Sequence, residues 1–308
     1  MMATIGYAQG GKVEKFCKIF PKLLTFWIPI SSFRKKIRSK ISSFCHVINK
    51  SFFDELILKY NELQSKKDAV NTIVLGSSHG AAGFISKQFS QQSFNLASAS
   101  QDLYYSYSLF KYCTRELKNL KNVYLFYSVF LPGFELQMTN EKERCAYFKF
   151  LYNIPYKNKA CVELDLCYMQ AKAYYKAFQD KIDTNGYIEQ KVFFDETFTV
   201  EKRVEGHLRE NKRESNQMLF LQKIIDECKL RNINLKIVIP PARKDYRNLL
   251  PNFDVLFQKL LNITPTPEIL NFYDSPFFTD ADFGDFDHLN SFGAVKLTNF
   301  IKEKVQNL

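Results

Sequence analysis

Short apolar runs that alternate with helix-length segments constrain this chain more than any other feature. Asn71–Leu75 (NTIVL) ends at Gly76, and Asn234–Ile239 (NLKIVI) ends at Pro240–Pro241. Asn122–Ser128 (NVYLFYS) is a third run, with weaker ones at Ser93–Leu96 and Glu268–Tyr273. Continuous β-branched and aromatic runs suit strands buried on both faces, as in a parallel sheet. Helical periods lie between them, over 52–67, from Gly80, over 101–117, 216–230 and 292–305. A βαβ series of this kind predicts an α/β fold, a flavodoxin-like three-layer sandwich with a mostly parallel sheet. Residues 139–215 interrupt the series with Lys-, Tyr- and Phe-rich helical periods such as Asp165–Phe178, and are expected to form an inserted helical cap. The domain plan is therefore a segment 1–70, ending in a lead-in helix, and an α/β domain over 71–308.

The 308 residues are 46% hydrophobic, enough for one α/β domain with extra segments. A formal net charge of +11 points to an acidic partner. Arg34, Lys35, Lys36, Arg38 and Lys40 concentrate part of it beside Phe26, Trp27 and Ile28. Apolar and aromatic residues next to cations suit peripheral contact of residues 16–40 with an anionic membrane; a helix packed on the main domain fits the same pattern. No zinc-finger, RNP or basic-zipper pattern is present, so nucleic acid is not an expected partner. The run Leu23–Ile30 is too short for a bilayer span of roughly 20 residues and carries Pro29. The expected location is cytoplasmic, peripheral on the inner membrane. Seven cysteines without CxxC spacing read as reduced thiols, and no metal site or bound cofactor is expected.

Open α/β sheets bind ligands beyond the carboxyl ends of their strands, so the turns there are the places to search. The first is VLGSSHG, residues 74–80. It puts Ser78 at a helix start, where backbone N–H groups and the helix dipole favour developing negative charge. A serine so placed attacks an acyl carbon only when a base takes its proton. A plain turn with N-capping serines has the same letters. The second is DFDHLNSFGA, residues 285–294. Asp285, three residues before His288, can hold one imidazole nitrogen and leave the other to face a serine. A solvated acidic loop capping the last helix through Asn290 or Ser291, or a carboxylate-rich cation site, fits this segment as well. His79 reads as a pocket or surface residue rather than a base. Arg243, after the PPAR turn, is a candidate for bidentate binding of an anionic group, or an exposed turn arginine.

The combination of a strand–GSS–helix turn with a C-terminal DxxH and HLNxxGA resembles the SGNH/GDSL hydrolase superfamily over residues 71–135 and 234–308. That resemblance implies an SGNH-hydrolase-like sandwich with Ser78 as nucleophile, Asp285 as orienting acid and His288 as base. The oxyanion-hole glycine of the family corresponds to FNLASASQD, where Ala97 or Ser98 offers a backbone N–H. The family's asparagine after the third strand is replaced by LFYSVF, leaving Ser128 or Tyr127 as donors. The GSS turn is similar to those of alginate O-acetyltransferases and of the D-alanyl transfer proteins of teichoic acid. The start FWIPISSFRKKIRSKI is similar to N-terminal segments of capsule and lipopolysaccharide glycosyltransferases. Together they imply acyl transfer or ester hydrolysis on a bacterial surface glycan, with an acyl donor such as acetyl-CoA. The alternative is a non-catalytic SGNH-like module that binds glycan or a biosynthetic partner. Asn290 and Arg243 join Ala97, Ser98 and Ser128 as candidate substrate-binding residues.

Overall fold

A computed structural model describes residues 54–158, 162–177, 181–187, 189 and 199–306. The basic stretch 16–40 lies outside them. Five strands, β1 Thr72–Gly76, β2 Ser93–Asn95, β3 Asn122–Phe126, β4 Asn234–Ile239 and β5 Glu268–Asn271, form one sheet in the order β2-β1-β3-β4-β5. Every pairing is parallel. Among the described residues, the eight longer helices are α1 Asp54–Lys66, α2 Ser78–Gly83, α3 Leu103–Glu116, α4 Arg144–Tyr152, α5 Val162–Ala177, α6 Val200–Lys212, α7 Gln217–Leu230 and α8 Ser291–Gln306. Among the described residues, no helix is long and apolar enough to cross a membrane.

Alternate strand residues feed two cores, because side chains of a strand point to opposite faces. Ile73, Leu75, Val123, Leu125, Ile237 and Ile239 join Leu63 of α1, Leu109 and Phe110 of α3 and Ile224 of α7 on one face. Val74, Tyr124, Phe126, Val238 and Leu270 meet Ala81 of α2 and Leu297 and Ile301 of α8 on the other. The central strands carry apolar residues toward both faces, such as Ile73 and Val74 of β1 or Ile237 and Val238 of β4, because both faces are covered, which makes the molecule a flavodoxin-like three-layer α/β sandwich.

The segment 139–215 divides in two. In α4, Tyr147, Phe148 and Tyr152 are buried and extend the first core, with Tyr105 and Phe148 stacked at 4.6 Å. This helix belongs to the helical layer rather than to a lid. α6 behaves differently: Thr199 caps it, accepting from the Lys202 N–H, and its residues Arg203 and His207 reach the loop 285–288.

The strand order reverses between β1 and β3, so the crevice at their carboxyl ends is the expected ligand position. Gly76 closes β1 there at φ +126°, and a Cβ would stand 2.6 Å from the Phe126 carbonyl oxygen of β3. Only glycine allows the two strands to end side by side at that point.

Candidate active site

Ser77 is the N-cap of α2, its carbonyl accepting from the Gly80 and Ala81 N–H groups at 3.0 and 3.2 Å. Helix α2 starts at Ser78, two residues before the expected start at Gly80, because Ser77 takes that cap. Ser77 is fully buried, whereas Ser78 is partly exposed and lines a cavity of about 610 Å³. The other walls come from Ser100, Phe130, Phe134, Met138 and the inner side of α6. A cavity of this size suits a small organic substrate. A second void of about 10 Å³ behind His79 has room for one water at most.

His288 reaches Ser78 from the loop before α8. Gly284 N–H donates to His288 O at 2.9 Å and Asn290 N–H to Asp282 O at 3.0 Å, so the segment folds back on itself. Inside it, Asp285 Oδ1 accepts from the N–H groups of Asp287 (3.0 Å) and His288 (2.7 Å), a local carboxylate turn. With its backbone fixed, His288 Nε2 lies 2.7 Å from Ser78 Oγ, and its Nδ1 lies 2.8 Å from Asp285 Oδ2. These contacts select the tautomer with Nδ1–H donating to Asp285 and Nε2 accepting from the serine hydroxyl. Burial opposes ionisation of Asp285, but the neighbouring His288 and its hydrogen bond keep this carboxyl below its ordinary range.

A second polar chain lies directly behind the first. Ser77 Oγ is 2.9 Å from Ser128 Oγ, Ser128 Oγ donates to His79 Nδ1 at 2.8 Å, and His79 Nε2–H donates to Asp287 Oδ2 at 2.8 Å. Arg203 closes the chain, its Nε donating to Asp287 Oδ1 at 2.9 Å. The His79 and His288 rings stack at 4.4 Å. Burial, then the proximity of His288, lowers the His79 pKa, so this imidazole stays neutral and can serve as both donor and acceptor. Burial likewise brings His207 down to about 3, and its Nδ1 meets the Tyr246 hydroxyl at 2.6 Å. Asp287 is also buried, which opposes its ionisation, yet Arg203 and the surrounding imidazoles hold it well below the carboxylate range.

The other sequence candidates take different places. The Ala97 N–H donates to Asn95 Oδ1 at 3.0 Å and the Ser98 N–H to Gly76 O at 3.2 Å, so both amides are engaged inside the protein. Ser128 is buried in the polar chain behind the nucleophile rather than beside it. Asn290 caps α8, with Oδ1 accepting from the Phe292 and Gly293 N–H groups at 3.0 Å and Nδ2 donating to Ala281 O at 2.7 Å. Arg243 forms a fork with Asp245, at 2.7 and 3.1 Å, and lies over the Phe286 ring. Three residues of the site were not singled out from the sequence: Ser77, Asp287 and Arg203. Asp287 had a signal, standing between Asp285 and His288. Arg203 had none, being one cation in the highly charged helix VEKRVEGHLRENK.

His79, Asp287 and His288 also offer three ligand-type atoms within 4.8 Å of one another. A cation there would compete with the Arg203 guanidinium, which is 2.9 Å from Asp287 Oδ1 and 3.2 Å from His288 Nδ1. Both imidazoles already have partners on each nitrogen. The donor set fits hydrogen bonding better than metal coordination.

No known protein family matches this sequence, and no curated protein does. Among solved structures, the chain is similar to a Streptococcus pneumonia protein provisionally described as a platelet activating factor. The TM-score is 0.39 at 9% identity, covering 81% of this chain and 91% of that one. A likeness this remote carries no argument about the site.

Proposed function

We propose that this chain is a serine-dependent acyl-transfer enzyme of the SGNH type, an esterase or O-acyltransferase acting on a bacterial surface glycan. The observation that carries this reading is the contact sequence Ser78 Oγ–His288 Nε2–Asp285, at 2.7 and 2.8 Å, opening on a cavity at the switch point of a parallel sheet. In the proposed reaction, Ser78 Oγ attacks the ester carbonyl while its proton passes to His288 Nε2. Asp285 holds Nδ1–H and stabilises the imidazolium. The tetrahedral adduct collapses, the leaving alkoxide takes the proton from Nε2, and an acyl-serine remains. Water or a glycan hydroxyl, deprotonated by the same nitrogen, then releases it. In this reading the Ser78 amide, in the first helical turn where N–H groups lack intrahelical partners, donates to the oxyanion. The glycan assignment rests on the GSS turn and its resemblance to polysaccharide acyl-transfer proteins.

One observation favours a second reading, a non-catalytic module that binds glycan or a biosynthetic partner. The Ala97 and Ser98 amides, expected as further oxyanion donors, are bonded elsewhere. Intact-mass analysis after fluorophosphonate treatment separates the two readings. The enzyme gains one probe mass, Ser78→Ala gains none, and His288→Ala reacts roughly 10²–10⁴ times more slowly. Folded wild-type protein that never takes up the probe would mean the binding module.

A further inference from the structure

We propose that Arg203 is the charge-balancing positioning residue of this site, neutralising Asp287 so that His288 faces the net charge of one carboxylate, Asp285. The inference deepens the acyl-transfer reading above and rests on it for its catalytic meaning, though not for its test.

Two carboxylates crowd one imidazole nitrogen. Asp285 Oδ2 is 2.8 Å from His288 Nδ1, and Asp287 Oδ1 is 3.7 Å from it. Nδ1 carries one hydrogen and can satisfy one of them. Asp287 turns the other way, toward His79 Nε2 and the fork of Arg203. The Arg203 Nη2 stands 3.2 Å from His288 Nδ1, donor facing donor, so this contact is electrostatic rather than a hydrogen bond. The groups facing His288 are thus Asp285 and Asp287 from its own loop, Arg203 and His207 from α6, and His79 from α2, with Tyr246 behind His207. Both flanking imidazoles are driven toward neutrality by burial. Two acids and one guanidinium leave a single net negative charge beside the imidazole. Asp287 is only 2% exposed, so water screens the balance poorly. Arg203 also stands on the helix that walls the cavity, so the charge state of the base depends on α6 being seated.

The chain has four histidines, so their ring signals can be followed singly by NMR, with His288→Gln assigning the one of interest. Arg203→Gln should raise the titration midpoint of His288 by roughly one to two pH units, because Asp287 is left uncompensated. Asp287→Asn should lower it, because the guanidinium remains. The double variant should return near wild type, and Arg203→Lys, which keeps the charge, should stay within about half a pH unit of it. Should Asp287→Asn not fold, the Gln and Lys variants of the more exposed partner decide the matter alone. Midpoints unchanged across the set, or Lys and Gln behaving alike, would overturn the proposal. Fluorophosphonate labelling of the same proteins against pH should shift in parallel. Absence of labelling in the wild type would remove the acyl-transfer reading, and the NMR midpoints would still decide the role of Arg203.

Discussion

Ser77 and Ser78 are adjacent and chemically the same, and the backbone gives them opposite tasks. The N-cap conformation turns Ser77 into the interior, against Ser128, while the first helical residue carries its hydroxyl toward His288. Ser77→Ala should therefore remove one neutral hydrogen bond, costing about 0.5–1.5 kcal/mol of stability, and leave probe uptake at Ser78 in place. Urea unfolding paired with intact mass reads both quantities, and loss of labelling with stability unchanged would reverse the assignment. The GSS turn was legible in the sequence because a strand, a glycine and a helix start have local signatures. The Asp285–His288 spacing was legible for a similar reason, since a carboxylate three residues back can bond the following backbone N–H groups itself. The burial of His79 was not, because its partners, Asp287 and Ser128, come from elements that meet it only in the folded sheet.

Among the elements, strands and covering helices followed from local pattern, since continuous apolar runs have few alternatives once helices alternate with them. The insertion was legible as helices but not as placements. The aromatic faces of α4 could pack on α1 and α3 or over a pocket, and periodicity does not distinguish the two. Nor does a helix with alternating charges announce that one of its arginines turns inward. The loop before α8 shows the converse case. Asn290 was a candidate for substrate contact, yet its side-chain hydrogen bonds hold the start of α8 and the fold-back of the DxxH segment. Asn290→Ala should cost about 0.5–2 kcal/mol by loss of the cap. Its labelling rate should fall only as far as His288 loses its placement, and a rate drop at unchanged thermal stability would return Asn290 to the substrate side.

At the scale of the whole molecule, acids and bases are unevenly placed, and the pH dependence of stability follows from where the buried acids and imidazoles sit. Asp287 is buried and Asp285 half-buried, which opposes their charge, but imidazole and guanidinium partners bring both below the ordinary carboxylate range. Asp282, held by Lys296 and the Thr279 N–H, is lowered too. A depressed carboxyl contributes stability that is fully present above its unfolded pKa, near 3.9, and lost as pH falls through its folded value. Asp102 has the opposite sign. It caps α3 by accepting from the Tyr105 and Leu136 N–H groups, and burial raises it to about 6. The folded state then holds that proton more tightly than the unfolded chain, so stability from this group is present below about pH 4 and lost as pH rises through 6. Acid also strips charge from 32 Asp and Glu side chains while 43 Lys and Arg remain, adding self-repulsion at low pH. His79 and His207, neutral when folded, outweigh Asp102, because the unfolded chain takes up their protons below about pH 6.5. Urea midpoints measured from pH 3 to 8 should therefore be highest near neutrality and fall on the acid side. Asp102→Asn, which cannot ionise, should steepen the fall between about pH 6 and 4 and leave the limb below about pH 4 in place. An unchanged slope between about pH 4 and 6 in that variant would show that Asp102 is ionised throughout and that its two backbone donors outweigh burial.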